Sequence, residues 1–141
     1  MRRWPWALLP LAGVLAGVAI GWSGSPGNPA AAGKRQTVVI HFSRFSPERI
    51  TVLAGVPVSF ELVNEDPIEH EWIVGTDEVH ERHRLGTEPY HDEVPTEVTI
   101  PAFQARSTVV TFYSPGEYAF VCHLPGHEAY GMRGTVTVVA P

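Results

Sequence analysis

Val56-Pro57-Val58-Ser59-Phe60-Glu61-Leu62-Val63 spaces Val58, Phe60 and Leu62 two apart, with Pro57, Ser59 and Glu61 between them. A period of two marks a half-buried strand, because successive side chains on an extended chain point to opposite faces. Pro57 lacks an N–H and suits an edge position. Upstream, Ala54-Gly55 interrupts the chain, and the β-branched runs Thr37 to Phe42 and Arg49 to Leu53 flank the turn Phe45-Ser46-Pro47. Downstream, the turn Asn64-Glu65-Asp66-Pro67 leads into Glu69 to Val74, then Thr96 to Ile100, Ser107 to Tyr113, Glu117 to His123 and Gly134 to Val139. About seven or eight short strands at regular turn spacing predict an all-β Greek-key β-sandwich. The interval from 76 to 95 breaks the pattern. It is polar, His-rich and without alternation, and Asp77 as an N-cap would start a short helix ending before Gly86.

The chain has 141 residues, room for one ordinary domain and an appendage. Fifteen acidic against ten basic side chains, without clustered Lys and Arg, exclude a nucleic-acid surface. Arg2 and Arg3 precede a mostly apolar stretch from Ala7 to Trp22, a turn-rich linker follows, and Ala30-Ala31-Ala32 supplies a small-residue cleavage site. Residues 1–32 therefore read as an export signal. The alternative is an uncleaved membrane anchor, because Trp4 to Trp22 is just long enough to span a bilayer at about 1.5 Å per residue. Residues 33–141 form the expected domain. Without Arg2 and Arg3 its balance becomes more acidic, which would steer cationic partners toward it.

The chemistry is concentrated in Val121-Cys122-His123-Leu124-Pro125-Gly126-His127-Glu128-Ala129-Tyr130-Gly131-Met132. A lone thiol in an exported protein has no internal disulfide partner. Alone it would read as a small buried hydrophobe. Here it ends a strongly β-forming strand, and Pro125-Gly126 turns the chain so that His127 and Met132 can fold back over it. Thiolate, imidazole and thioether together are the donors of a blue-copper centre, which needs a second histidine. His70 is the candidate, since it follows a Pro turn and leads into the apolar strand Trp72-Ile73-Val74; read alone it fits a surface histidine equally well.

The chain resembles the cupredoxin family through nearly the whole domain. The opening part is similar in Phe45-Ser46-Pro47-Glu48-Arg49-Ile50-Thr51-Val52, Gly55, Phe60, Asn64 and His70-Glu71-Trp72. The closing part is similar in Pro115-Gly116-Glu117-Tyr118, Cys122, Pro125-Gly126-His127 and Gly131-Met132, as in azurin-like, sulfocyanin-like and plastocyanin-like members. The resemblance implies one type 1 copper ion held by His70, Cys122, His127 and Met132. It also implies a monomeric one-electron carrier, periplasmic or extracellular, that docks redox partners transiently near the His127 edge. Its apolar rim would include Pro67, Ile68, Leu124, Pro125 and Tyr130. Two features depart from the family: Glu71 stands where many members place Asn, which bears on the hydrogen bonding of the thiolate, and the His-rich insertion is additional.

Other functions compete. Cys122-His123 followed by His127 and Met132 also resembles the last motif of multicopper oxidases, but Val121 occupies the place of the other flanking His and no His-x-His pair occurs. An enzyme is therefore not expected. On strand alternation His123 points away from Cys122, and it reads as a surface histidine, with a subunit-bridging ligand as the alternative. His80 and His83 would share one helix face, with His91 near a turn. Their choice lies between a solvated loop and a second, weaker metal site, the latter suiting a copper chaperone or buffer.

Overall fold

The computed structural model describes residues 34–87 and 94–141. Residues 1–32, read above as signal or anchor, and His91 lie outside these. Among the described residues no helix is long and apolar enough to cross a membrane.

Among the described residues nine strands and one helix follow in order: β1 (Arg35–Ile40), β2 (Phe45–Ser46), β3 (Arg49–Leu53), β4 (Val58–Asn64), β5 (His70–Gly75), α1 (Asp77–Arg84), β6 (Glu97–Ile100), β7 (Ala105–Val110), β8 (Gly116–Val121) and β9 (Arg133–Val139). They form two sheets, ordered β2-β1-β4-β7 and β3-β9-β8-β5-β6. The expected β-sandwich is present, with β2 as an additional two-residue strand. Both sheets are mixed, because β1 runs parallel to β4 and β3 parallel to β9.

Alternation in β4 is complete in its burial: Val58, Phe60, Leu62 and Asn64 are buried and the residues between them only partly so. The strand is nevertheless central, flanked by β1 and β7, and not an edge. Pro57 is tolerated because it precedes the strand, where no ladder N–H is required. The two inner faces meet in aromatic contacts. Phe60 lies 4.9 Å from Trp72, and Phe45 meets Phe120 edge-on at 5.2 Å.

β5 and β8 break the alternation in an informative way. Trp72, Val74, Phe120 and Cys122 belong to the central core, while Ile73 and Val121 are equally buried yet lie outside it. They occupy the outer face of the second sheet, where α1 packs on β5 and β8. The interval read as a polar excursion thus contains a covering helix. Its N-cap is Thr76, one residue earlier than expected, and Gly86 takes a left-handed φ of 63° after its end. Asp77 and Glu78 in the first turn and Arg82 to Arg84 in the last match the helix dipole. Arg84 pairs with Glu128 at 2.6 Å, tying the helix to the loop after β8.

This packing can be probed at two points. A Cβ on Gly134 would overlap the Phe120 ring and lie 2.6 Å from the Glu48 carbonyl oxygen. Gly134→Ala should therefore cost about 1–3 kcal/mol by overpacking, read as a lower urea midpoint. The Arg84 hydrogen bond, chiefly, holds the Glu128 carboxyl below its ordinary pKa. A depressed carboxylate adds stability above its unfolded value and loses it as pH falls through the folded one. Glu128→Gln should thus cost up to about 1 kcal/mol at pH 7 and nothing near pH 2, measured by melting at both.

Candidate metal centre

His70 opens β5, and Cys122 follows β8 directly. The β8–β9 ladder pairs Val121 with Arg133, and the Cys122 N–H continues it by donating to the Met132 carbonyl at 3.2 Å. The intervening loop closes on itself. The His127 N–H donates to Leu124 O at 3.0 Å, Tyr130 N–H to Gly126 O at 3.0 Å, and Met132 N–H to His127 O at 3.0 Å. Gly126 and Gly131 supply left-handed turns at φ 86° and 89°.

This closure brings His70, Cys122 and His127 together, with one donor atom of each within 4.8 Å of the others. Cys122 Sγ lies 3.2 Å from His127 Nδ1, and His127 Nδ1 lies 3.3 Å from His70 Nδ1. His70 and Cys122 are fully buried, whereas His127 is partly exposed. Met132 is also fully buried, packs in the same core cluster as Cys122, and is bonded through its backbone to both Cys122 and His127. His70 is thus a core residue and no surface histidine.

Asp66 is the functional residue that sequence reasoning passed over, having treated it as part of a turn. Its Oδ2 lies 2.9 Å from His70 Nε2 and accepts the Ser43 N–H at 2.8 Å, while Oδ1 accepts the Phe42 N–H at 2.7 Å. Burial would raise this carboxyl, but the Ser43 and Phe42 N–H groups and His70 overcome it and hold its pKa low. An ionised Asp66 can only accept, so His70 carries its proton on Nε2 and presents a bare Nδ1 to His127 and Cys122. Its position four residues before His70 was the available signal.

Burial, chiefly, raises the Cys122 thiol, opposed by the backbone N–H groups of Glu71 and Leu124. The Glu71 N–H lies 3.3 Å from Sγ. The departure at position 71 is therefore neutral for this bond, which the backbone makes whatever the side chain. Burial, then the neighbouring His70, lowers His127. A thiol disfavoured as an anion, beside one imidazole favoured neutral and a second that presents a bare Nδ1, is a set whose thiol a bound cation would deprotonate. Thiolate with imidazole suits zinc as well as copper, whereas two imidazole nitrogens and one thiolate sulfur, with Met132 buried in the same core cluster, suit copper best.

Comparison with known proteins agrees. The family model of the cupredoxin-like domain matches residues 13–138. The chain belongs to the cupredoxin-like family. It is 34% identical over 119 residues to the copper-resistant cuproprotein CopI of Rubrivivax gelatinosus, covering 82% of this chain and 72% of that one. It is 26% identical to the CopI of Pseudomonas aeruginosa, covering 95% and 98%. Among solved structures, auracyanin B matches with a TM-score of 0.65 at 21% identity, covering 77% of this chain and 90% of that one. Reduced auracyanin from Roseiflexus castenholzii matches at 0.60 and 18% identity, covering 77% and 98%. At these identities the auracyanins speak for the fold of this cupredoxin-like domain.

The histidines outside this centre also differ from their sequence reading. His123 does point away from Cys122, but its side chain is only 6% exposed because α1 covers it. His80 is buried, with no part in a solvated loop, and its Nδ1 lies 2.9 Å from His123 Nε2. Burial, then the neighbouring His80, lowers the His123 pKa to about 4.

Since Asp66 fixes the tautomer of His70, Asp66→Ala should weaken copper affinity about 10–100-fold. Competition against a chelator of known affinity measures this, and an unchanged affinity would assign Asp66 to loop structure alone.

Proposed function

We propose that the protein binds one copper ion through His70, Cys122, His127 and Met132 and acts as a one-electron carrier outside the cytoplasm. The observation that carries this reading is the convergence of a buried thiol and two Nδ1 atoms within 4.8 Å, with His70 oriented by Asp66. When bound, copper supplies a one-electron Cu(II)/Cu(I) couple. The chain's own part is to keep the donors still. Cys122 is fixed at the end of β8, His70 at the start of β5, and the loop after Cys122 is tied at Met132, so little need move between redox states. His127 is the partly exposed member and serves as the electron exit. Pro67, Ile68, Pro125 and Tyr130 are exposed and Leu124 half-buried, an apolar rim suited to brief docking. A single domain with one such centre supports a carrier better than an enzyme.

A second reading, copper handling, is favoured by the likeness to CopI, described as copper-resistant, and leaves the same centre in place. The two differ in whether the ion stays. A carrier holds Cu(I) against a competing chelator through repeated oxidation and reduction, while a chaperone or buffer releases it.

One equivalent of Cu(II) should give the purified protein an intense thiolate-to-copper charge-transfer colour. Cys122→Ser should abolish the colour while keeping the fold by circular dichroism. Colourless copper binding, or equal binding by Cys122→Ser, would overturn the assignment. Measuring Cu(I) loss to a chelator over redox cycles then separates carrier from buffer.

A further inference from the structure

Between α1 and the outer face of the second sheet three histidines gather: His80 is buried, and the side chains of His83 and His123 are 2% and 6% exposed. His80 Nδ1 and His123 Nε2 face each other at 2.9 Å, with ring centroids 5.2 Å apart and planes inclined 37°. In the proposed copper centre, His70 and His127 stand in nearly the same relation, at 3.3 Å between nitrogens and 5.0 Å between rings. The outer nitrogen of His80 corresponds to that of His70. His80 Nε2 meets the Ala119 carbonyl at 3.1 Å, as His70 Nε2 meets Asp66, and His123 Nδ1 lies 3.5 Å from Glu128 Oε2.

Proton counting makes this pair unusual. A carbonyl can only accept, so His80 carries its proton on Nε2 and turns a bare Nδ1 inward, to which the His123 Nε2–H donates at 2.9 Å. With one proton on each ring, this leaves His123 Nδ1 bare toward the Glu128 carboxylate at 3.5 Å, two acceptors opposed. Adding a proton creates a charged imidazolium that burial opposes. A cation between the inner nitrogens replaces that proton and lets His123 carry its own on Nδ1, as a donor toward Glu128. Metal–nitrogen bonds of about 2.0–2.1 Å place two ligand nitrogens slightly farther apart than the 2.9 Å seen here, a shift of a few tenths of an ångström.

We propose that His80 Nδ1 and His123 Nε2 form a second metal site for an imidazole-preferring divalent ion, with Cu(II) ahead of Zn(II). His83 borders it, stacked on His123 at 5.2 Å, with its Nδ1 donating to Val79 O at 2.9 Å and Nε2 turned toward the Glu97 carboxylate at 3.8 Å. Because Cys122 and His123 are neighbours on opposite faces of one chain end, the two sites are joined by a single peptide link.

The test is a Cu(II) titration of the purified protein followed by absorption, calorimetric stoichiometry and pulsed electron paramagnetic resonance. Two equivalents should bind: one giving thiolate charge transfer, the second adding no such colour but showing couplings to imidazole nitrogens. His80→Gln should keep the coloured equivalent and bind the second at least 10-fold more weakly. Saturation at one equivalent, or a second that binds His80→Gln as tightly as wild type, overturns the proposal; the latter would place it at His41, His91 or the amino terminus. If His80→Gln fails to develop the coloured band, Zn(II) titration of the wild type decides, read by imidazole nitrogen resonances. His80 and His123 shifting together supports the site, and either remaining still overturns it. A protein that never colours fails the copper-centre reading separately, since Cys122 is not a ligand of the second site and the His80 signal reports that site alone.

Discussion

The arrangement depends on one backbone hydrogen bond, from the Cys122 N–H to the Met132 carbonyl, which extends the β8–β9 ladder a step beyond Val121 and Arg133. It clamps both ends of the excursion between them, so the loop must double back within a few residues. Left-handed Gly126 and Gly131 make that possible, and His127 is delivered to the thiol because the chain has nowhere else to go. The sheet fixes Cys122, and the loop closure fixes His127 relative to it. His70 arrives from the adjacent strand, since β5 pairs with β8.

The second support is polar. Phe42 and Ser43 adopt left-handed backbone at φ 51° and 53°, conformations unfavourable for side-chain-bearing residues. Asp66 offsets this by accepting both of their N–H groups while orienting His70. Its own N–H donates to Asn64 Oδ1, and Asn64 Nδ2 reaches the carbonyls of Ile68, Ile100 and Pro101. The turn at 64–67 is therefore a network that carries rigidity from the first sheet to the His70 ring. Buried polar groups are costly unless every member is satisfied, and here the residues that satisfy one another also position the donor.

The strands were legible because apolar spacing is a one-dimensional record of burial: Val58, Phe60 and Leu62 show it directly. The Cys122, His127 and Met132 spacing was legible because one loop holds all three. What escaped was set by neighbours distant in sequence. Pro57 beside a central strand depends on where β4 starts, to within a residue. Alternation gave the direction of His123 correctly but not α1 lying over it, so a buried side chain read as exposed. Glu71 looked like a departure because sequence displays side chains, whereas the bond to sulfur comes from a backbone N–H that every residue but proline has.

β8 ends in two consecutive donors with opposite fates. Cys122 faces the core between the sheets, where aromatic packing excludes water and the ring of His127 alone meets the surface. His123 faces outward and would be solvated in a bare sandwich, yet α1 and the Arg84–Glu128 pair enclose it. The covering helix carries His80 on its inner side, where both ring nitrogens find polar partners, although Ile73 and Val121 beneath would be covered as well by an aliphatic residue. Three imidazoles at one two-turn helix thus form a polar cluster where apolar packing alone would cover the sheet. His80 and His123 share with His70 an outer nitrogen facing an oxygen and an inner one facing a partner ring, the arrangement by which proteins ready an imidazole for a metal.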